Sequence, residues 1–144
     1  MKLFQIEEPE GSDEPLEGPG AAVGMALMAR AGAVALAVGG NAEILARHEG
    51  PASGGDEAGP TALLLALRGR AEKVLARPVT HAVIAGDGES VALRRAAEAA
   101  GLAVLRIIAT GEAAKLAPGA DAADAPALGA AILAEDDAAS LPSR

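Results

Sequence analysis

The sequence predicts a single α/β domain, a mixed five-stranded sheet with helices on both faces. Three observations predict it. Short apolar runs crowd residues 21–45, apolar spacing turns helical after residue 60, and from residue 79 strand-like and helix-like segments alternate. A chain of 144 residues has room for one such domain and its tails, not two.

The elements follow in order. Residues 1–20 form a leader rich in Glu, Pro and Gly after residue 6, with acids at Glu7, Glu8, Glu10, Asp13, Glu14 and Glu17; it is expected to be disordered. Ala21–Leu27 reads as a buried strand, Ala33–Val38 as a second and Ala42–Leu45 as a third. Gly39, Gly40 and Asn41 tolerate positive φ, so a tight hairpin joins the latter two. Residues 50–59 (GPASGGDEAG) offer nothing to a core and read as a flexible linker.

Pro60 and Thr61 open a helix whose apolar face is Leu63, Leu64, Leu67, Ala71, Val74 and Leu75; Arg68, Arg70 and Lys73 are placed on its solvated side, and Pro78 ends it. Val79–Ala85 is β-branched and short, a buried strand. Gly86, Asp87 and Gly88 turn the chain into a second helix, with Asp87 as its N-cap and Arg94 and Arg95 facing water. Gly101 stops that helix, and Leu102–Ile108 is the next strand. A short helix at Glu112–Leu116 and a last one from Pro126 through Leu133 complete the list, with 136–144 expected as a disordered tail. Residues 21–135 thus form one domain. A meander followed by right-handed crossovers is the topology of a ribonuclease-H-like domain.

Composition excludes several functions. A net charge of −8 argues against a nucleic-acid partner. The absence of cysteine removes disulfides, thiolate metal sites and cysteine nucleophiles. His48 and His81 stand alone, without ligand spacing, so no metal site is expected. No signal pattern and no apolar run of membrane length occur, so a soluble cytoplasmic protein is expected. Phe4 is the single aromatic and much of the 51% hydrophobic content is Ala, so the core rests on a few Leu, Ile and Val residues and stability should be modest.

Certain stretches carry a resemblance. Lys2–Gly11 (KLFQIEEPEG) is similar to the start of HscA-type chaperones, relatives of DnaK that serve iron–sulfur cluster assembly. Gly24–Gly50 resembles the family's first three strands, ending in Asn41-Ala42-Glu43-Ile44-Leu45 and His48-Glu49-Gly50. Val79–Ile84, Ala99–Ile108 and Ala127–Ile132 are similar to later segments in the family's order. The resemblance implies a heat-shock chaperone ATPase of actin-like fold, reduced to the core of its first lobe. The linker stands where the family carries an insertion with a catalytic lysine, and the second lobe is missing between Gly119 and Asp121.

The same resemblance implies lost chemistry. The family's phosphate loop, G-I-D-L-G-T-T-N-S, aligns with Gly24 to Gly32. Ala26 replaces the acid that orients magnesium, Met28 replaces a glycine, and Ala29 and Arg30 replace threonines. The family's catalytic glutamate aligns with Thr110, while Glu112 reads as a helix-start acid. Phosphoryl transfer is mostly positioning and electrostatics, so such a chain is expected to be a pseudo-ATPase with no catalytic residue, cofactor or metal. The expected role is a non-catalytic protein-binding or scaffold module, its partner a chaperone or an iron–sulfur assembly component. The alternative is half of an ATPase, completed in trans and then using Mg-ATP.

Other signals reduce to structure. Gly86-Asp87-Gly88 lacks the third glycine of a phosphate loop and carries repelling acids. Ser90, His81 and an acid do not form a nucleophile-elbow pattern. Arg30 alone reads as an exposed strand-end cation.

Overall fold

The structure, a computed structural model, describes residues 20–28, 31–49 and 58–140. The leader before Gly20, most of the linker, Ala29, Arg30 and the last four residues of the tail lie outside them. Five strands form one sheet: β1 (Ala21–Met28), β2 (Ala31–Val38), β3 (Asn41–Glu49), β4 (Val79–Ala85) and β5 (Ala103–Ile108). Their order across the sheet is β3-β2-β1-β4-β5. The first three are antiparallel neighbours, and β1, β4 and β5 run parallel. This is the ribonuclease-H-like mixed sheet that the element order predicts, and it is consistent with the actin-like ATPase lobe that the resemblance implies.

The meander is set by its turn. Gly39 and Gly40 have φ of 63° and 85°, and Val38 pairs with Asn41 across them. Two successive left-handed residues are what a tight hairpin of this hand requires. β3 runs to Glu49, beyond the Leu45 expected from its apolar run, because a strand needs ladder partners and only one apolar face.

Helix α1 (Ala58–Leu75) lies between β3 and β4, and α2 (Ser90–Ala99) between β4 and β5. Both cover one face of the sheet. Their Leu63, Leu64, Leu67, Leu93, Ala96 and Ala97 pack with Val23, Met25, Leu27, Val34 and Ile84. α3 (Thr110–Ala114) and α4 (Ala125–Ala139) lie on the other side, where α4 packs mainly on β1 and β2. There Ala127, Ala130, Ala131 and Ala134 meet Ala26, Ala33, Ala35, Ala37 and Ala85. Where the facing residues are this small, helix and sheet backbones approach closely. A Cβ added to Gly24 would stand 2.7 Å from the Ala127 carbonyl oxygen. Gly129 plays the same part on the helix, against the carbonyl of Ala113.

Several boundaries differ from expectation. α1 begins at Ala58, so the linker is shorter by its last two residues. That helix ends at Ala76, whose φ of 56° is left-handed, two residues before Pro78. Val74 on the expected apolar face is 58% exposed. α4 continues six residues past Leu133, so 136–139 are helical and not tail. Polar anchors account for the extension. Glu135 accepts hydrogen bonds from the Gly39 and Gly40 amides at 2.6 and 2.9 Å, and Asp137 pairs with Arg106 at 2.9 and 3.0 Å.

Arg68 is the largest correction on α1. It is half-buried and donates to the carbonyls of Ala100 at 2.8 Å and Val79 at 3.2 Å, while Glu72 accepts from both Arg68 and the Val79 amide. One side chain therefore joins the ends of α1, α2 and the start of β4. Arg70 donates to the Arg47 carbonyl, whereas Lys73, Arg94 and Arg95 are exposed as expected. Gly101 ends α2 with φ of 86°, its amide bonding Glu98 and that of Leu102 bonding Ala97. Both are the bonds of a glycine-terminated helix.

Candidate functional site

Parallel strands β1, β4 and β5 deliver their carboxyl ends to one edge of the sheet, where α/β folds place ligands. Three chain segments meet there: the end of β1 at Met28, the Gly86–Glu89 loop after β4, and Ala109–Thr110 after β5. A backbone hydrogen bond of 2.9 Å from Gly86 to Ile108 ties the second to the third.

Asp87 is the organising side chain. Its carboxylate accepts the Thr110 hydroxyl at 2.7 Å and the Thr110 amide at 2.9 Å. It is thus a cap for α3, not for α2 as its sequence position suggests. The cap position of α2 is Glu89, which makes no side-chain capping bond. The Thr110 hydroxyl, and then its amide, hold the Asp87 carboxyl below its ordinary value. The first amide of α3 is therefore already satisfied by an internal anion.

Among the described residues, Glu89 and Glu112 at this edge are exposed, and Glu112 pairs with Lys115 in its own helix at 3.2 Å. Glu112 does sit in the first turn of α3, the place favourable to an acid.

Of the Gly24–Gly32 stretch that resembles a phosphate loop, Gly24 to Met28 lie in β1 and Ala31 and Gly32 open β2. Gly24 is the close-approach point beneath α4, Ala26 is wholly buried among the alanines of that layer, and Met28 is half-buried against the same layer. Ala29 and Arg30 lie outside the described residues.

Residues suspected of a triad are kept apart. His81 stands near the start of β4, its Nδ1 2.8 Å from the Thr80 hydroxyl, whereas Ser90 opens α2 beyond the strand's other end. His48 is half-buried on β3 and its Nδ1 has no partner among the described residues. Among the described residues, no three or more His, Asp or Glu side chains gather as metal ligands. No helix among them is long and apolar enough to cross a membrane.

The order of strands, the alanine-faced return helix and the segments quoted from the sequence agree with one further finding. Residues 33–134 match the Hsp70 protein family. The chain belongs to that family. The match runs from β2 through α4, covering well over half of the molecule, and starts immediately after the Gly24–Gly32 stretch. No curated protein matches the chain.

Within this Hsp70-family lobe, sequence reasoning missed two features. A mostly apolar groove of about 360 Å³ runs between the start of α1 and the side of α2, lined by Pro60, Leu93, Ala96 and Ala99 among others. The Asp87–Thr110 contact was the second. Asp87 was visible as a capping residue, but which helix it serves depends on the meeting of two loops 23 positions apart.

Proposed function

We propose that this Hsp70-family chain is a non-catalytic, chaperone-like protein, a nucleotide-lobe fold kept as a protein-binding or scaffold module. The observation that carries the reading is the Asp87–Thr110 contact. Thr110 stands where the sequence resemblance puts the family's catalytic glutamate, and its amide is occupied by an internal carboxylate. A bound triphosphate needs free donors and cations at such an edge. Among the described residues this edge instead presents Asp87, Glu89 and Glu112, with Lys115 the close counter-charge to the last.

The fate of β1 supports the same reading. The sequence resemblance puts the family's magnesium-orienting acid at Ala26, and a carboxylate at that buried position would lie unpaired in an alanine layer, at a cost of several kcal/mol. Losing single preorganised groups commonly lowers rate by about 10² to 10⁴, and here several are absent together. The partner suggested by the sequence resemblance is another chaperone or an iron–sulfur assembly component.

Titration calorimetry of the full chain with Mg-ATP tests the proposal. The expected result is no saturable heat; binding in the micromolar range overturns it.

A further inference from the structure

We propose that Asp87–Gly88 is a latent isoaspartate site, a peptide bond set up to rearrange and held from doing so by Thr110. The chemistry is internal to the chain and independent of nucleotide.

Asp87 is the one aspartate followed by glycine; every other Asp precedes Glu, Ala or Asp. A Cβ on the following residue hinders ring closure onto its amide nitrogen, and glycine has none. The loop also has room. Asp87, Gly88 and Glu89 are exposed, and a Cβ built on Gly88 would meet nothing within 4 Å. Among the described residues the Gly88 amide makes no hydrogen bond, so the nucleophile is unengaged.

The electrophile is held. Both Asp87 carboxylate oxygens are taken, Oδ1 by the Thr110 amide at 2.9 Å and Oδ2 by the Thr110 hydroxyl at 2.7 Å. Cγ cannot turn onto the Gly88 nitrogen until those two bonds break. The same donors favour the ionised carboxylate, which resists attack because it has no neutral hydroxyl to lose.

Once Thr110 lets go, the rearrangement balances without a co-reactant other than solvent. The Gly88 nitrogen bonds to Cγ of the protonated carboxyl, the amide proton passes to the departing hydroxyl, and one water leaves. The succinimide ring then takes up one water. Where the bond between the Asp87 main-chain carbonyl carbon and the nitrogen breaks, the chain runs on through Cγ, one carbon longer. Isoaspartate no longer offers Thr110 its acceptors, so α3 loses the cap on its first amide.

Prolonged warm incubation of the full chain in mildly acidic buffer, read by peptide mass spectrometry with electron-transfer fragmentation, tests this. The parent should form succinimide and isoaspartate at Asp87 slowly, and a urea-unfolded sample much faster. Thr110→Ala removes the hydroxyl and should speed rearrangement about fivefold; Thr110→Pro removes both donors and should speed it about twentyfold. Proline is tolerated at this first helical position, and Ala109 before it is already extended. Thr110→Ser keeps both donors and should keep the parent rate, while Gly88→Ala should suppress rearrangement. Circular dichroism verifies the fold of each variant, and the comparison of Thr110→Ala with Thr110→Ser decides if the proline variant unfolds. Equal rates in the parent, Thr110→Ala and Thr110→Ser overturn the proposal. So does isoaspartate shared equally with Asp121 and Asp124, or none at Asp87 in any sample.

Discussion

The two faces of the sheet are held by opposite means. Against α1 and α2 the strands present Val23, Met25, Leu27, Val34 and Ile84, and leucines of the helices fill the space between. Against α4, β1 and β2 present Ala22, Gly24, Ala26, Ala33, Ala35 and Ala37, the helix answers mainly with alanine, and larger side chains such as Met28, Ile108 and Leu128 pack only at the margins of this layer. One face is stabilised by apolar area removed from water; the other has little area per side chain and relies on close backbone approach. The first tolerates small adjustments of volume. The second tolerates none, because backbone atoms cannot change rotamer.

Four substitutions and one titration sharpen that contrast. Leu64→Ala removes a fully buried side chain from the large-residue face and should cost about 3 kcal/mol in denaturant unfolding. Gly24→Ala adds a single carbon to the other face, where the α4 backbone stands, and should cost about 2 kcal/mol. If the methyl is accepted freely, the close-approach account is broken. Arg68→Ala, which frees the junction of α1, α2 and β4, should cost about 1 kcal/mol, discounted because the side chain is partly exposed. Ala76→Gly relieves a left-handed alanine and should stabilise by roughly 0.5 kcal/mol.

The smallest effect concerns acid. The Asp87 carboxyl is held below its ordinary value of 3.8 in the folded state. Its contribution is therefore present above that value and lost as pH falls below it, through the depressed folded value. Urea midpoints at neutral pH and near pH 3 should differ less in Asp87→Asn than in the parent chain.

Much of the fold was legible because its signals are local. Gly39–Gly40 announced a hairpin, Gly101 a helix stop, and the spacing of Leu63, Leu64 and Leu67 a buried helical face. The α4 face was less so. Its alternation of small residues looks like an apolar run in which every position could be core, and nothing local says that Gly24 faces a helix more than 100 residues on. The length of α4 escaped for a related reason: Asp136 and Asp137 look like tail until Arg106 and the Gly39–Gly40 turn are brought beside their helix. Arg68 read as solvated because its acceptors, Val79 and Ala100, are carbonyls whose position only the tertiary structure fixes. At the candidate site, the sequence showed only that Ala26, Met28 and Thr110 depart from the motif of the family it resembles, and not that the Asp87 carboxylate accepts from the Thr110 amide and hydroxyl.

Amide NMR during a Mg-ATP titration tests the central claim most directly, by following Gly86, Asp87, Gly88 and Thr110 together with the amides of β1. The account predicts that these resonances stay in place at every nucleotide concentration, with Thr110 protected by its bond to Asp87. Saturable shifts concentrated on those residues would contradict it.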